Sequence, residues 1–213
     1  RATPVDRSCR RLVTEATGEA LASRVPSCQT AGVDREAVKA AVGAFLRALG
    51  HTPEGELAET PELVAAAWCD ELLSGEGVDA VALLREARIE GADGMVVLRD
   101  VAVDTMCPHH LLPAHGSADI AFVPGSYVAG FGAIVRALAA ISRRLTLQER
   151  IGSDMTSALV EGLEVRGALC RLRMRHSCLA SRGPRERGAL IETLSIVGSL
   201  EQDSATVSAI LGR

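Results

Sequence analysis

The hydrophobic pattern of this chain changes period near Gly91, and that change limits its fold more than any other feature. Upstream, Val38, Val42, Phe45, Leu46 and Leu49 recur at helical spacing, with Asp34 placed to cap the segment and Gly50 to end it. A second helix opens at Thr60-Pro61-Glu62, a cap followed by a first-turn proline, and sets Leu63, Val64, Ala67, Trp68 and Leu72 on one face before Gly75. Beyond Gly94 the pattern is that of extended chain over 95–98 and 101–103, then over 118–123 up to the turn Pro124-Gly125. Helical spacing returns over 134–141 and 147–163, and two further strands follow at 169–178 and 189–197. Strand, strand, helix, helix, strand, strand predicts an α+β unit: a four-stranded, largely antiparallel sheet with helices on one face. The division that follows is an N-terminal arm over 1–33, a helical hairpin segment over 34–90 and a sheet-bearing catalytic domain over 91–213.

Composition narrows the function classes. The 213 residues carry 23 basic side chains, of which only Lys39 is a lysine, against 27 acidic ones, a formal charge of −4. Neither duplex binding through phosphate neutralisation nor single-strand binding through aromatic stacking fits that balance with 2% aromatic residues. Apolar runs are short and interrupted by charge or glycine, so the expectation is a soluble, cytoplasmic protein. The six cysteines form no regular disulfide framework, and reduced thiols are expected.

Three segments, far apart in sequence, hold the unusual chemistry. In Cys107-Pro108-His109-His110, at the end of a predicted strand, a thiolate and an imidazole three positions apart can address one metal ion. In His176-Ser177-Cys178, read as strand, residues two apart share a face and a site. Cys107, His110 and Cys178 together would be three protein ligands with a fourth position open, the pattern of a catalytic zinc. A Cys-x-x-His alone is common among buried residues, yet three of the five histidines and two of the six cysteines fall in these two segments. His51 and His115 read as surface or structural residues, and Cys9, Cys28, Cys69 and Cys170 as tail or core thiols. The third segment, Leu147-Gln148-Glu149-Arg150, opens a helix. Glu149 there is either a partner of the helix dipole or an acceptor of two hydrogen bonds from the edge of a guanine, and the segment alone leaves both open.

The runs Asp104-Thr105-Met106-Cys107-Pro108-His109-His110-Leu111-Leu112-Pro113, Ser142-Arg143-Arg144-Leu145-Thr146-Leu147-Gln148-Glu149-Arg150 and His176-Ser177-Cys178, with Ser181-Arg182-Gly183, resemble GTP cyclohydrolase I from about Asp34 to Leu200. The resemblance implies the tunnelling fold, in which ββααββ subunits close into a barrel, and a homo-oligomer, in this family usually a decamer with sites between subunits. It implies a Zn²⁺ cofactor on Cys107, His110 and Cys178, with His109 and His176 moving protons beside it. Glu149 and Gln148 would hold the guanine, and Arg136 and Arg182 the phosphates. The implied reaction is hydrolytic opening of the imidazole ring of a guanine nucleotide, with loss of formate and closure to a pterin of the kind that feeds tetrahydrofolate biosynthesis.

The chain departs from the family at the phosphate end. Gly130-Phe131-Gly132-Ala133 stands where the family has Gly-Leu-Ser-Lys, Leu63 where an arginine is expected, and Pro108 where a glutamate follows the first ligand. Charge-assisted hydrogen bonds contribute ~1.5–3 kcal/mol each, so losing two cations predicts a purine with fewer phosphates, or a modified purine. Arg143, Arg144, Arg185 and Arg187 are the residues that could restore the charge from other positions. The alternative from another class is a catalytically silent tunnelling-fold subunit that binds a purine or pterin. A reductase of the deazaguanine-nitrile type would need a nucleophilic cysteine away from the metal, which Cys170 does not supply.

Overall fold

A computed structural model describes residues 33–91 and 93–212. The expected N-terminal arm, with Cys9 and Cys28, lies outside them except for its last residue.

α1 (Arg35–Ala48) forms where the spacing predicts it, and the Asp34 carboxylate accepts from the Ala37 N–H at 3.0 Å. α2 (Thr60–Ala66) begins one residue earlier than its expected cap: Glu59 is the N-cap, without a side-chain bond, and Thr60 is already helical. Its last turn widens into a π-helical stretch over Ala67–Leu72 that buries Cys69. Leu63, expected on the inner face, is 61% exposed, because α2 buries Ala65 instead.

A third helix, α3 (Ala80–Glu86), was not signalled by the pattern. Asp79 caps it by accepting from Val81 and Ala82, and Ala80 and Leu84 join the main core. It lies close to the end of α5, where a Cβ on Gly162 would approach the Leu84 Cβ to 2.7 Å; glycine there lets the two helices meet.

β1 (Arg88–Glu90) pairs with the short β4 (Tyr127–Ala129). The main sheet contains β2 (Val96–Met106), β3 (Pro113–Val123), β5 (Gly167–His176) and β6 (Ile191–Gly198), antiparallel throughout in the order β2-β3-β5-β6. The two expected segments at 95–103 are thus one strand, bulged between Leu98 and Val101. α4 (Phe131–Ser142) and α5 (Gln148–Leu163) cover one face and bury Ile134, Leu138, Ile151, Met155 and Leu159 against Ile120, Phe122, Leu172 and Met174. This is the expected ββααββ arrangement.

Two elements differ from expectation at the ends of the sheet. β5 stops at His176 and the chain turns into a short helix, α6 (Ser177–Ala180), so Cys178 is not on the strand. In register, His176 faces Ala114, and the next partner would be Pro113, which has no N–H to continue the ladder. After β6, α7 (Ser204–Leu211) returns across the other face. There Leu200 and Ile210 pack on Ala121 and Leu169, and Arg99 and Arg171 donate to the carbonyls of Ile210 and Leu211. No helix among the described residues is long and apolar enough to cross a membrane.

Candidate active site

Strand pairing brings the three chemical segments together. Cys107 to Leu112 form the turn between β2 and β3, closed by Leu111 N–H donating to the Cys107 carbonyl at 2.9 Å and Cys107 N–H to the Leu112 carbonyl at 3.0 Å. Leu111 adopts φ 52° to complete it, a left-handed conformation costing a non-glycine residue about 1 kcal/mol. Beside this turn, the Ala114–His176 pair places the end of β5 and α6. On the other side, Met106 bridges to Leu145, and Thr146 N–H donates to the Met106 carbonyl at 3.3 Å, which carries the start of α5 to the same place.

The ligand atoms of Cys107, His110 and Cys178 all lie within 4.8 Å of one another, although Cys178 reaches the group from a helical turn. Cys107 Sγ is 3.7 Å from His110 Nδ1, close to the separation of two ligands on a tetrahedral zinc with bonds of about 2.3 Å to sulfur and about 2.0 Å to nitrogen. The set of two thiols and one imidazole suits zinc, and three ligands leave a fourth position open. Burial, and then the neighbouring Cys107, raise the Cys178 thiol above its ordinary range. A divalent cation would reverse that preference, since it binds the thiolate.

A cavity of about 190 Å³ opens beside these ligands, lined among others by His109, His176, Gln148, Glu149, Cys107 and Cys178. Burial lowers the pKa of His176, with the nearby Glu149 carboxylate partly opposing the shift; the imidazole is therefore neutral at pH 7. Glu149 lies in the first turn of α5, exposed yet on the cavity wall.

The other expected substrate residues are placed differently. Gln148 is only 2% exposed, and its amide is engaged with β5, β6 and His176. Arg182 meets the metal group itself, with Nη1 2.7 Å from His110 Nε2. Arg136 lines a separate cleft with Ser74, Leu83 and Arg143. Ala133, in the first turn of α4, is 4% exposed and packed into the core, whereas Phe131 is 66% exposed. Thr105 and Thr146 also line the cavity: Thr105 stands two residues before Cys107 at the end of β2, a spacing that could have marked it, and Thr146 lies beside the Met106–Leu145 bridge.

The sequence profile of GTP cyclohydrolase I matches residues 38–213. The chain belongs to the GTP cyclohydrolase I family. It is 34% identical over 181 residues to GTP cyclohydrolase 1 of Bacillus subtilis, covering 84% of this chain and 95% of that one. To the Synechococcus sp. (strain JA-2-3B'a(2-13)) enzyme of that name it is 39% identical, covering 82% of this chain and 76% of the other. To the Mycobacterium leprae one it is 35% identical, covering 84% and 88%. The tunnelling fold of that family is the ββααββ sheet-and-helix arrangement described above. Within it, the positions at which departures from the family are expected fall on the turn between β2 and β3 (Pro108), on α2 (Leu63), and before and within α4 (Gly130 to Ala133).

Proposed function

We propose that this chain is a zinc-dependent hydrolase that opens the imidazole ring of a guanine nucleotide and releases its C8 as formate, on the way to a pterin. The observation that carries the reading is the meeting of Cys107, His110 and Cys178 within 4.8 Å beside a cavity that also holds His109, His176 and Glu149.

Zinc held by these three residues would supply a Lewis acid and lower the pKa of water toward ~7, with no redox chemistry. The chain's own groups divide the remaining work. Glu149 accepts from the ring N–H and the exocyclic amine of guanine, which orients the imidazole ring toward the ligands. His176, neutral at pH 7, accepts a proton, and His109 on the ligand turn donates one as the ring C–N bond breaks. Arg182, six residues after His176 and four after Cys178, has its guanidinium 2.7 Å from His110 Nε2 and meets the phosphate end. All of these residues fall within 91–213, the proposed catalytic domain. A cavity of about 190 Å³ is smaller than the ~300 Å³ or more of a typical ligand site, which supports completion of the site by a second copy in a ring-shaped homo-oligomer.

Replacement of the phosphate-end residues by Leu63, Gly132 and Ala133 supports a substrate with fewer phosphates than GTP, or a modified purine. The test is formate release from GTP, GDP, GMP and guanosine by zinc-replete protein. His109→Ala should keep about one zinc per chain and lose turnover. Zinc-replete protein that frees no formate from any of these compounds is instead a silent purine- or pterin-binding subunit.

A further inference from the structure

Gln148 is the first residue of α5; it lies on the cavity wall but is only 2% exposed, with its amide turned toward the ends of β5 and β6. The amide Nε2 lies 3.3 Å from the Leu172 carbonyl, 3.1 Å from the Ile191 carbonyl and 3.1 Å from Thr193 Oγ1. Two of these partners are backbone carbonyls, which only accept, so the nitrogen end of the amide must face them. The amide is thereby turned so that Oε1 faces His176 Nε2 at 2.8 Å. A carbonyl oxygen has no proton to give, and the proton in this bond must sit on Nε2. A neutral imidazole carries one N–H, which leaves Nδ1 as the atom with a free lone pair.

We infer that Gln148 is a positioning residue: anchored to the ends of β5 and β6, it holds His176 as the Nε2–H tautomer with Nδ1 as the proton acceptor. The inference rests on the reading of His176 as a proton-transferring group, but its central claim concerns the tautomer and stands apart from turnover. It also gives Gln148 a role other than contact with guanine, since both amide hydrogens are directed to acceptors of the fold. A histidine without such a partner divides between two neutral tautomers, and only one presents the lone pair at the required atom. Outer partners that orient a functional imidazole change activity by ~10–100-fold when removed.

The test uses full-length, zinc-loaded protein labelled with [15N]histidine, in which five histidines give resolvable ring signals and His176→Ala identifies the one of interest. The wild type should show His176 protonated at Nε2. Gln148→Met, close in volume but without an acceptor, should bring in the Nδ1–H tautomer and lower kcat for formate release ~10–100-fold, with KM and bound zinc within about twofold of wild type. Persistence of the Nε2–H tautomer in Gln148→Met, or a changed tautomer with unchanged kcat, would overturn the inference. Protein with no turnover on any guanine compound sinks the proposed reaction, while the tautomer measurement still decides whether Gln148 sets the ring.

Discussion

Arg182 donates to a residue of the proposed metal group: its Nη1 lies 2.7 Å from His110 Nε2. A guanidinium is always protonated, so His110 must accept. When His110 ligates a metal it loses that capacity, because Nε2 either binds the ion or carries the remaining proton. Metal loading therefore releases Arg182, at a place where an anionic substrate would next find it. Arg182→Ala should raise KM for GTP ~10–100-fold, the equivalent of one charge-assisted hydrogen bond, and leave KM for guanosine and the zinc content unchanged. Steady-state kinetics on the two substrates and metal analysis read both effects; an equal rise for guanosine would show that Arg182 does not serve the phosphates.

Cys170 is fully buried on β5, and burial, with a smaller contribution from Asp119, pushes its thiol from the ordinary 9.0 up to about 12. The folded protein thus keeps a proton that the unfolded chain gives up. The resulting contribution to stability is complete below the unfolded value and is lost as pH rises from there toward about 12. At about pH 10 the wild type should have lost on the order of 1 kcal/mol to this group. Cys170→Ala starts from lower stability at pH 7 but should lack this alkaline decline. Urea melts at the two pH values compare the slopes, and identical declines would mean that Cys170 is not the group responsible.

Much of this arrangement is legible in the residues before any coordinate is known. Asp34 and the spacing from Val38 to Leu49 mark α1 correctly, and the period change near Gly91 yields the ββααββ order. Their residue types single out Cys107, His110 and Cys178, which the fold brings together, although the strand reading that pairs His176 with Cys178 fails. The apolar run through 169–178 looks like one strand, and only the register against Pro113 shows why it ends at His176. α3 and α7 are two turns long, too short for periodicity to separate them from loop, and their Asp79 and Asp203 caps become informative only once Leu84 and Ile210 are seen to be buried. Gln148 shows a different limit. The family resemblance implies contact with guanine, whereas its three acceptors lie on strands that follow it by 24 to 45 residues, and no local pattern encodes that.

Arg171 ties the sheet to the C-terminal helix. It pairs with Glu192 at 2.8 Å, lies 3.8 Å from Asp119, and donates to the Leu211 carbonyl at 3.2 Å, at the negative end of α7. Breaking a buried pair costs ~3–5 kcal/mol, and the partial exposure of Glu192 reduces that here to about 2–3 kcal/mol. Arg171→Ala should lower stability by that amount and speed amide exchange across Ser204–Leu211 before the rest of the fold opens. Uniform exchange in the variant would mean that α7 is held without Arg171, by its apolar packing and the Arg99 bond to the Ile210 carbonyl.

If the phosphate end of the proposed site is short of cations, restoring one should show it. Ala133 lies on the buried face of α4, so a lysine introduced there must displace core packing before it can offer a charge. Leu63 is the better position for a test because it is 61% exposed and an arginine there disturbs no contact of the core. If the site discriminates against phosphates for want of charge, Leu63→Arg should lower KM for GTP by about tenfold, the lower end for one added charge-assisted bond. It should leave guanosine turnover and thermal stability unchanged. The effect should weaken as ionic strength rises, since charges outside the core are screened over ~8–10 Å. A gain shared equally by guanosine would mean that the substitution acts on the assembly or the fold, and that this chain's preference is set at the purine rather than at the phosphates.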